Sequence, residues 1–232
     1  MRLTKESSAD HFEQNTMELN PAIPCSISLN SVQHRFGKLE VLSGLNAHIA
    51  GGEHVVIEGT NGSGKSTLGQ ILAGHLTCTS GEIKWYQTQT LAAKATSHLD
   101  DITLQTMLMG PASSLHPLLT IEELLAFHAA FRSWWPGLDP LDWIVDCGLS
   151  NHLQSPYSTL SSGMQQRVKL VLALATESAL VVLDEPCVNL DKKGIDWYQS
   201  CLQTIANQTT IIVCSNDRKE DHLTPTQVIQ LN

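Results

Sequence analysis

The stretch that decides the fold runs Gly59-Thr60-Asn61-Gly62-Ser63-Gly64-Lys65-Ser66-Thr67, and it fits the phosphate-binding loop pattern G-x-x-x-x-G-K-[ST]. The run His54-Val55-Val56-Ile57-Glu58 before it is typical of a strand, and residues 68–73 after it show the apolar spacing of a helix. Glycines let backbone N–H groups converge on an anion, and the helix adds the positive end of its dipole. We therefore predict a nucleoside-triphosphate site.

The chemistry of this loop assigns a role to each of its polar side chains. Lys65 is expected to reach the β- and γ-phosphates, and the Ser66 hydroxyl is expected to bind Mg²⁺. The residues predicted to contact the nucleotide are Gly59, Asn61, Gly62, Ser63, Gly64, Lys65, Ser66 and Thr67.

The composition excludes several classes of protein. The chain has 232 residues, a formal net charge of −9 and a sequence pI near 5.5, which argue against broad nucleic-acid binding or a polybasic membrane anchor. No apolar run approaches the roughly 18 residues that indicate a membrane-spanning helix, and the N-terminus lacks an apolar signal core. The six cysteines are scattered without a C-x-x-C pair, so we expect free, buried thiols in a reducing compartment.

The order of polar and apolar segments predicts one α/β domain. Residues 1–22 are polar and aperiodic, which predicts a flexible tail, and residues 23–232 form the domain. Segments near 26–32, 41–49 and 82–86 alternate or nearly alternate, which predicts a small antiparallel sheet beside a mainly parallel core sheet.

Phe36 lies between the first two predicted strands, on the N-terminal side of the glycine-rich loop. A flat aromatic ring at this place can stack on a purine base. It can equally be a packing residue of the small sheet, and the sequence leaves both interpretations open.

The middle of the chain, roughly residues 91–178, is predicted to be an inserted helical subdomain. Thr120-x-x-Glu123 forms a capping box, and a second helix is expected over about 140–147, ended by Gly148. The apolar residues predicted to line the first helix are Ile121, Leu124, Leu125, Ala129 and Phe131.

Two later stretches narrow the class beyond phosphate binding. Leu160-Ser161-Ser162-Gly163-Met164-Gln165-Gln166-Arg167 opens a predicted long helix, and Leu180-Val181-Val182-Leu183 is a continuous apolar strand that ends in Asp184-Glu185-Pro186. Here the chain resembles the ATP-binding cassette (ABC) ATPase family. The first stretch is similar to its L-S-G-G-Q signature, the second to its Walker B strand, and Val188-Asn189-Leu190-Asp191 to its D-loop.

The resemblance implies an ATPase with a P-loop fold and a role for each motif. Asp184 would position Mg²⁺, and Glu185 would polarise the attacking water. Ser161, Ser162 and Gly163 would contact the γ-phosphate held by another subunit. The family pattern thus implies a head-to-tail dimer that sandwiches two ATP molecules, with an integral membrane partner. It implies a cytoplasmic location, peripheral at the inner face of the cell membrane.

Three parts of the family pattern are altered. Ser162 and Met164 replace the usual Gly and Gln of the signature, and Asn216 stands where a histidine usually follows the strand at 210–214. Gly110-Pro111 follows the strand at 106–109, where a glutamine is usual. Asn216 is therefore placed with Glu185 as a candidate catalytic residue, and we expect ATP binding to survive with a low rate of hydrolysis.

Two functions remain open at this stage. One is the ATPase subunit of a transporter, with features of the short exporter-type cassettes. The other is a soluble, non-transport relative that acts as a slow ATP-gated interaction switch. Co-purification with an integral membrane protein would discriminate between them.

Overall fold

The structure is a computed structural model that describes residues 22–86, 95–96 and 99–231. Its core is a five-stranded sheet in which every pair of neighbouring strands is parallel. The spatial order is β6 (Thr106–Met109), β7 (Leu180–Asp184), β8 (Thr210–Ser215), β3 (His54–Glu58) and β9 (Gln227–Gln230). The predicted strand at 54–58 and the predicted α/β fold with a mainly parallel core are confirmed.

Both faces of the core sheet are buried, which explains why its strands read as continuous apolar runs. Leu180 and Val182 pack with α1 (Lys65–Leu72) on one face, whereas Val181 and Leu183 pack against the other face. The second face is covered by α5 (Ser162–Ala175) and α6 (Lys192–Ile205). Successive side chains of a strand point to opposite faces, so each strand fills two layers of core.

The small antiparallel sheet is also confirmed. Its spatial order is β2 (Leu39–Ile49), β1 (Ser26–Phe36), β4 (Ser80–Tyr86) and β5 (Ala95–Thr96). The inward residues of β1 and β2 join the core on the α1 side of the main sheet. This hairpin therefore lies beside the glycine-rich loop.

The chain between β5 and α5 holds α2 (Leu99–Leu104), α3 (Ile121–Ala129) and α4 (Pro140–Asp146), with β6 between α2 and α3. The capping box is present: the Thr120 hydroxyl accepts from the Glu123 N–H, and the Glu123 carboxylate accepts from the Thr120 N–H. Ile121, Leu124 and Leu125 are buried as predicted.

The predicted apolar stripe of α3 is wrong at its C-terminal end. Ala129 is exposed, and Phe131 is 71% exposed and forms a tilted ring pair with Phe127. The reason is that α3 ends at Ala129. Beyond the last helical turn, a spacing of 3.6 residues no longer determines which side chains face the core.

Two domain predictions are refined by the structure. The stretch 91–178 contains β6, which pairs with β7 of the main sheet, so part of the predicted helical subdomain belongs to the core. The predicted flexible tail lies outside the described residues except for Ala22, whose N–H donates to Glu177 at 2.8 Å.

The cysteines are free, and all are buried except the half-buried Cys78.

His54, at the start of β3, makes the fold sensitive to acid. Its side chain is buried and its Nε2 has no hydrogen-bond partner. Burial, with a smaller contribution from His222, lowers the pKa of His54 to about 4. In the unfolded chain His54 takes up a proton near pH 6.5, whereas in the folded chain it does so only near pH 4. The free energy of unfolding therefore falls as the pH drops from about 6.5 to about 4.

We predict that His54→Leu reduces the loss of unfolding free energy between pH 7 and about pH 4.5, because it removes this differential protonation. Urea unfolding at both pH values measures the effect. The matched control is His48→Leu, since His48 is exposed on β2. If the free energy of unfolding of His54→Leu depends on pH as it does in the wild type, other groups cause the loss of stability in acid.

Candidate active site

The glycine-rich loop joins β3 to α1 and has a conformation that only glycine adopts readily. Gly64 is the N-cap of α1 with φ of +97°, and a Cβ there would lie 2.8 Å from Val41 Cγ1 on the β1–β2 hairpin. The buried Lys65 side chain curls back over the loop, and its Nζ donates to the carbonyls of Gly59 at 2.7 Å and Thr60 at 2.9 Å. A cation is thus held inside the concave loop.

The loop fits a triphosphate chemically. No side chain caps the N-terminus of α1, so its first N–H groups and the positive end of its dipole face outward. The Ser63 Oγ is buried without a hydrogen-bond partner. Asn61 and Gly62 are exposed at the tip of the loop, and Ser66 and Thr67 follow Lys65 in the first turn of α1. Donors and a cation converge here, as an anion requires.

Asp184 ends β7 beside this loop. The Ser66 hydroxyl lies close enough to its carboxylate to favour the charged form. Burial raises the pKa of Asp184, and the negative charge of Glu185 also raises it, while the Ser66 hydroxyl and the positive charge of Lys65 oppose this rise. A hydroxyl and a carboxylate are oxygen ligands of the kind Mg²⁺ prefers.

Gly110 lies directly against Asp184, at the position where the family resemblance predicts a glutamine. A Cβ at Gly110 would be 3.0 Å from the Asp184 Cβ, a tight contact that a side chain could make only if a neighbour moved by a few tenths of an ångström. The Gly110 N–H instead donates to the Ser113 hydroxyl at 3.0 Å. The site is built around a glycine at this position.

Glu185 and Asn216 meet although they are far apart in sequence. The Glu185 N–H donates to the Cys214 carbonyl at 2.9 Å, with Glu185 in a left-handed conformation at φ of +50°. The Asn216 Nδ2 donates to Glu185 Oε1. Because a carboxylate only accepts, this contact orients the amide and leaves Asn216 Oδ1 buried without a partner.

The signature residues form a separate group at the start of α5. Ser161 caps the helix by accepting from the Met164 N–H at 3.3 Å, and Ser162 is exposed. A Cβ at Gly163 would lie only 2.6 Å from the Asn189 carbonyl oxygen, so the turn before α6 packs directly on the signature helix. Within the described part of the chain, no hydrogen bond or ion pair joins Ser161, Ser162 or Gly163 to the glycine-rich loop.

Asp191 links the start of α6 to the signature helix α5. It caps α6 by accepting from the Gly194 N–H at 2.9 Å, and it forms an ion pair with Arg167 of α5. The Gly194 hydrogen bond, followed by Arg167, lowers the pKa of Asp191. The turn at 188–191 and the signature helix are therefore one unit.

Phe36 lies at the end of β1 and is 54% exposed, with its ring edge-to-face to His34 at a centroid distance of 4.7 Å. It belongs to the hairpin that packs on Gly64 through Val41. A half-exposed ring on this hairpin is compatible with base stacking.

Sequence reasoning missed two contributors to the site. Gln166, inside the signature stretch, donates from Nε2 to the Pro186 carbonyl at 2.8 Å and supports the turn after Glu185. Asp221, buried behind Asn216, accepts a hydrogen bond from Ser215 at 2.7 Å. The position of Gln166 in a known motif was a usable signal, whereas Asp221 belongs to no motif.

Comparisons with known proteins agree with this geometry. A family model described as ABC transporter matches residues 42–188. The chain is similar to the cytochrome c biogenesis ATP-binding export protein CcmA of Vibrio cholerae, with 32% identity over 73% of this chain and 80% of the relative. It is also similar to the lipoprotein-releasing system ATP-binding protein LolD of Saccharophagus degradans, with 32% identity over 85% and 89%.

Two solved structures share the fold. A dimeric bacterial ABC transporter cassette has a TM-score of 0.70 and 25% identity, covering 88% of this chain and 94% of its own. An ATP-bound bacterial Atm1-family ABC exporter has a TM-score of 0.74 and 20% identity, covering 92% of this chain and 38% of its own.

The contact at Gly163 leads to a stability prediction. Gly163→Ala should lower the free energy of unfolding by about 1–3 kcal/mol, because the new methyl group meets a backbone carbonyl that has no side-chain freedom. Chemical denaturation measures the change. Ser162→Ala is the control at the preceding, exposed position, where the effect should stay within about 0.5 kcal/mol. Equal stability of both variants would contradict the packing of the 188–191 turn on α5.

Proposed function

Because the chain belongs to the ABC transporter family of ATP-binding proteins and hydrolyses ATP as a member of it, we propose that it works as a head-to-tail dimer on a separate membrane partner. The observation that carries the proposal is the convergence of three motifs at one edge of the core sheet. The glycine-rich loop follows β3, Asp184 ends β7, and Asn216 follows β8.

In this proposal the loop binds the triphosphate and the neighbouring acids prepare it for hydrolysis. Lys65 contacts the β- and γ-phosphates, and the first turn of α1 donates N–H groups to them. Ser66 and Asp184 would hold Mg²⁺, which neutralises charge on the phosphate oxygens when bound. Phe36 stacks on the base.

Glu185 acts as the general base for the attacking water. A positioned base contributes about 10²–10⁴ in rate. The Asn216 amide holds one carboxylate oxygen of Glu185, which leaves the other oxygen free to accept a proton. Asparagine carries no titratable charge, so it stabilises the developing phosphate charge less than a histidine would, and we expect slow turnover.

Ser161, Ser162 and Gly163 contact the γ-phosphate bound by a second copy of the chain. Their lack of any bond to their own glycine-rich loop among the described residues supports this arrangement, as does the similarity to a dimeric cassette. The N-terminus of α5 supplies the anion-binding end of a helix dipole. Asp191 and Arg167 keep this end of α5 in place beside the D-loop turn.

The membrane partner is inferred from the relatives. One similar protein is named for export and another for a lipoprotein-releasing system, and both are named as ATP-binding proteins. We therefore propose an exporter-type role at the cytoplasmic face of the cell membrane. Over residues 22–86, 95–96 and 99–231, no helix has both the length and the apolar character needed to cross a bilayer.

Lys65→Ala tests the nucleotide site. Mg-ATP at about 100 times its dissociation constant should stabilise the wild type by about 2.7 kcal/mol, and the variant should show almost none of this gain. Thermal unfolding with and without Mg-ATP measures it. Lys193→Ala, which removes the same charge at an exposed position of α6, should keep the full gain. If Lys65→Ala shows the same Mg-ATP-induced thermal shift as the wild type, the glycine-rich loop is not the nucleotide site.

Glu185→Gln tests the dimer. The amide keeps the shape and can still accept from Asn216, but it cannot take a proton, so the variant should trap ATP and dimerise in Mg-ATP. Sedimentation with and without Mg-ATP reports the association state. The Glu185→Gln/Lys65→Ala double variant is the control and should stay monomeric. A single variant that remains monomeric well above its ATP-binding concentration range would argue against the two-site sandwich.

A further inference from the structure

We propose that Asp221 is a positioning residue for ATP hydrolysis, because its one buried carboxylate binds both of the loops that carry Glu185 and Asn216. The inference rests on the roles proposed above for these two residues. Asp221 lies in a short 3₁₀ turn, Lys219–Asp221, just beyond the loop that follows β8. It touches neither the glycine-rich loop nor the signature group by any hydrogen bond of the described residues.

Asp221 is completely buried, and among the described residues it has no cationic partner in an ion pair. Its relative exposure is 0%, and the ion pairs of the described residues do not include it. A buried carboxylate without a counter-charge depends on hydrogen-bond donors. Two donors from two different segments bind it. We call the Asp221 carboxylate, with its donors Ser215 and Cys187, the junction between these segments.

The first donor fixes the loop that carries Asn216. The hydroxyl of Ser215, the residue directly before Asn216, donates to Asp221 Oδ2 at 2.7 Å. The same Ser215 Oγ accepts from the Arg218 N–H at 3.1 Å, so the turn 215–218 closes on this hydroxyl. Asp221 therefore sets the position from which the Asn216 amide projects.

The second donor fixes the loop that carries Glu185. The N–H of Cys187, two residues after Glu185, donates to Asp221 Oδ1 at 3.2 Å. The Cys187 Sγ donates to the Glu220 carbonyl at 3.2 Å, which adds a second link between the same two segments. These two hydrogen bonds hold the turn after β7 against the segment after β8.

Asp221 is itself held by the body of the protein. The hydroxyl of Tyr198, a fully buried residue of α6, donates to the Asp221 backbone carbonyl at 2.7 Å. The Asp221 N–H donates to the Arg218 carbonyl at 3.0 Å. The junction cannot shift without moving a core side chain.

These contacts close a ring around the two reacting loops. One side of the ring is the Asn216–Glu185 hydrogen bond, and the opposite side is the Asp221 carboxylate with Ser215 and Cys187. Loss of the carboxylate would free both loops at once while leaving the glycine-rich loop untouched. A misplacement of about 1 Å at a reacting group can cost about 10²-fold in rate.

Steady-state phosphate release and nucleotide affinity of the full chain test the proposal. Asp221→Asn should lower kcat by about 10- to 100-fold. The KM and the Mg-ATP-induced thermal shift should stay close to wild type, because Lys65 and its loop are unchanged. The matched control is Glu220→Gln, which removes the same charge from the exposed neighbouring residue and should keep the wild-type kcat.

Ser215→Ala is the second variant, since it keeps the charge of Asp221 and deletes one donor to it. It should also lower kcat with little change in KM. The double variant should lose no more than the more damaging single change, because the bond that Ser215→Ala deletes is one of those that Asp221→Asn already alters. If Asp221→Asn fails to fold, the kcat and KM of Ser215→Ala alone test the proposal.

Two results would overturn the proposal: folded Asp221→Asn or Ser215→Ala with the wild-type kcat, or a parallel loss of kcat and nucleotide affinity that marks a general structural role. Glu185→Gln is assayed alongside. Wild-type turnover in Glu185→Gln would refute the proposed base, whereas an inactive Glu185→Gln beside a fully active Asp221→Asn would refute only the role of Asp221.

Discussion

The site depends on the parallel register of the core sheet. Glu58 of β3 pairs with Ser215 of β8, and Cys214 of β8 pairs with Asp184 of β7, so three strands end at the same level. Each strand is buried on both faces, and a slip by one residue would exchange its two core layers. The register that satisfies the core therefore also aligns the phosphate-binding loop, the Walker B acids and Asn216.

Close backbone packing is the second constraint on the site. Gly64 lets the β1–β2 hairpin approach the phosphate-binding loop, and Gly163 lets the D-loop turn rest on the signature helix. At Gly110 the backbone lies close to the Asp184 side chain. The absence of a side chain at Gly110 thus allows a close approach of this backbone to Asp184.

Negative charge dominates the space behind the phosphate-binding loop. Burial and Glu185 raise the pKa of Asp184, and the charge of Asp221 contributes in the same direction. Lys65 opposes them, and a bound divalent cation would do so more strongly because it carries two charges. Carboxylates that are close together and partly buried are stabilised by a nearby cation, which agrees with the proposed role of Asp184.

The sequence alone determined the phosphate-binding loop, the strand at 54–58, the capping box at Thr120 and the family, because each is a local pattern of neighbouring residues. Only the tertiary structure decided that Phe131 is exposed and that Asn216 donates to Glu185, 31 positions earlier in the chain. The role of Asp221 is of the same kind, since its partner Cys187 is 34 positions away. Hydrogen bonds between distant segments follow from strand order and register, which no local pattern records.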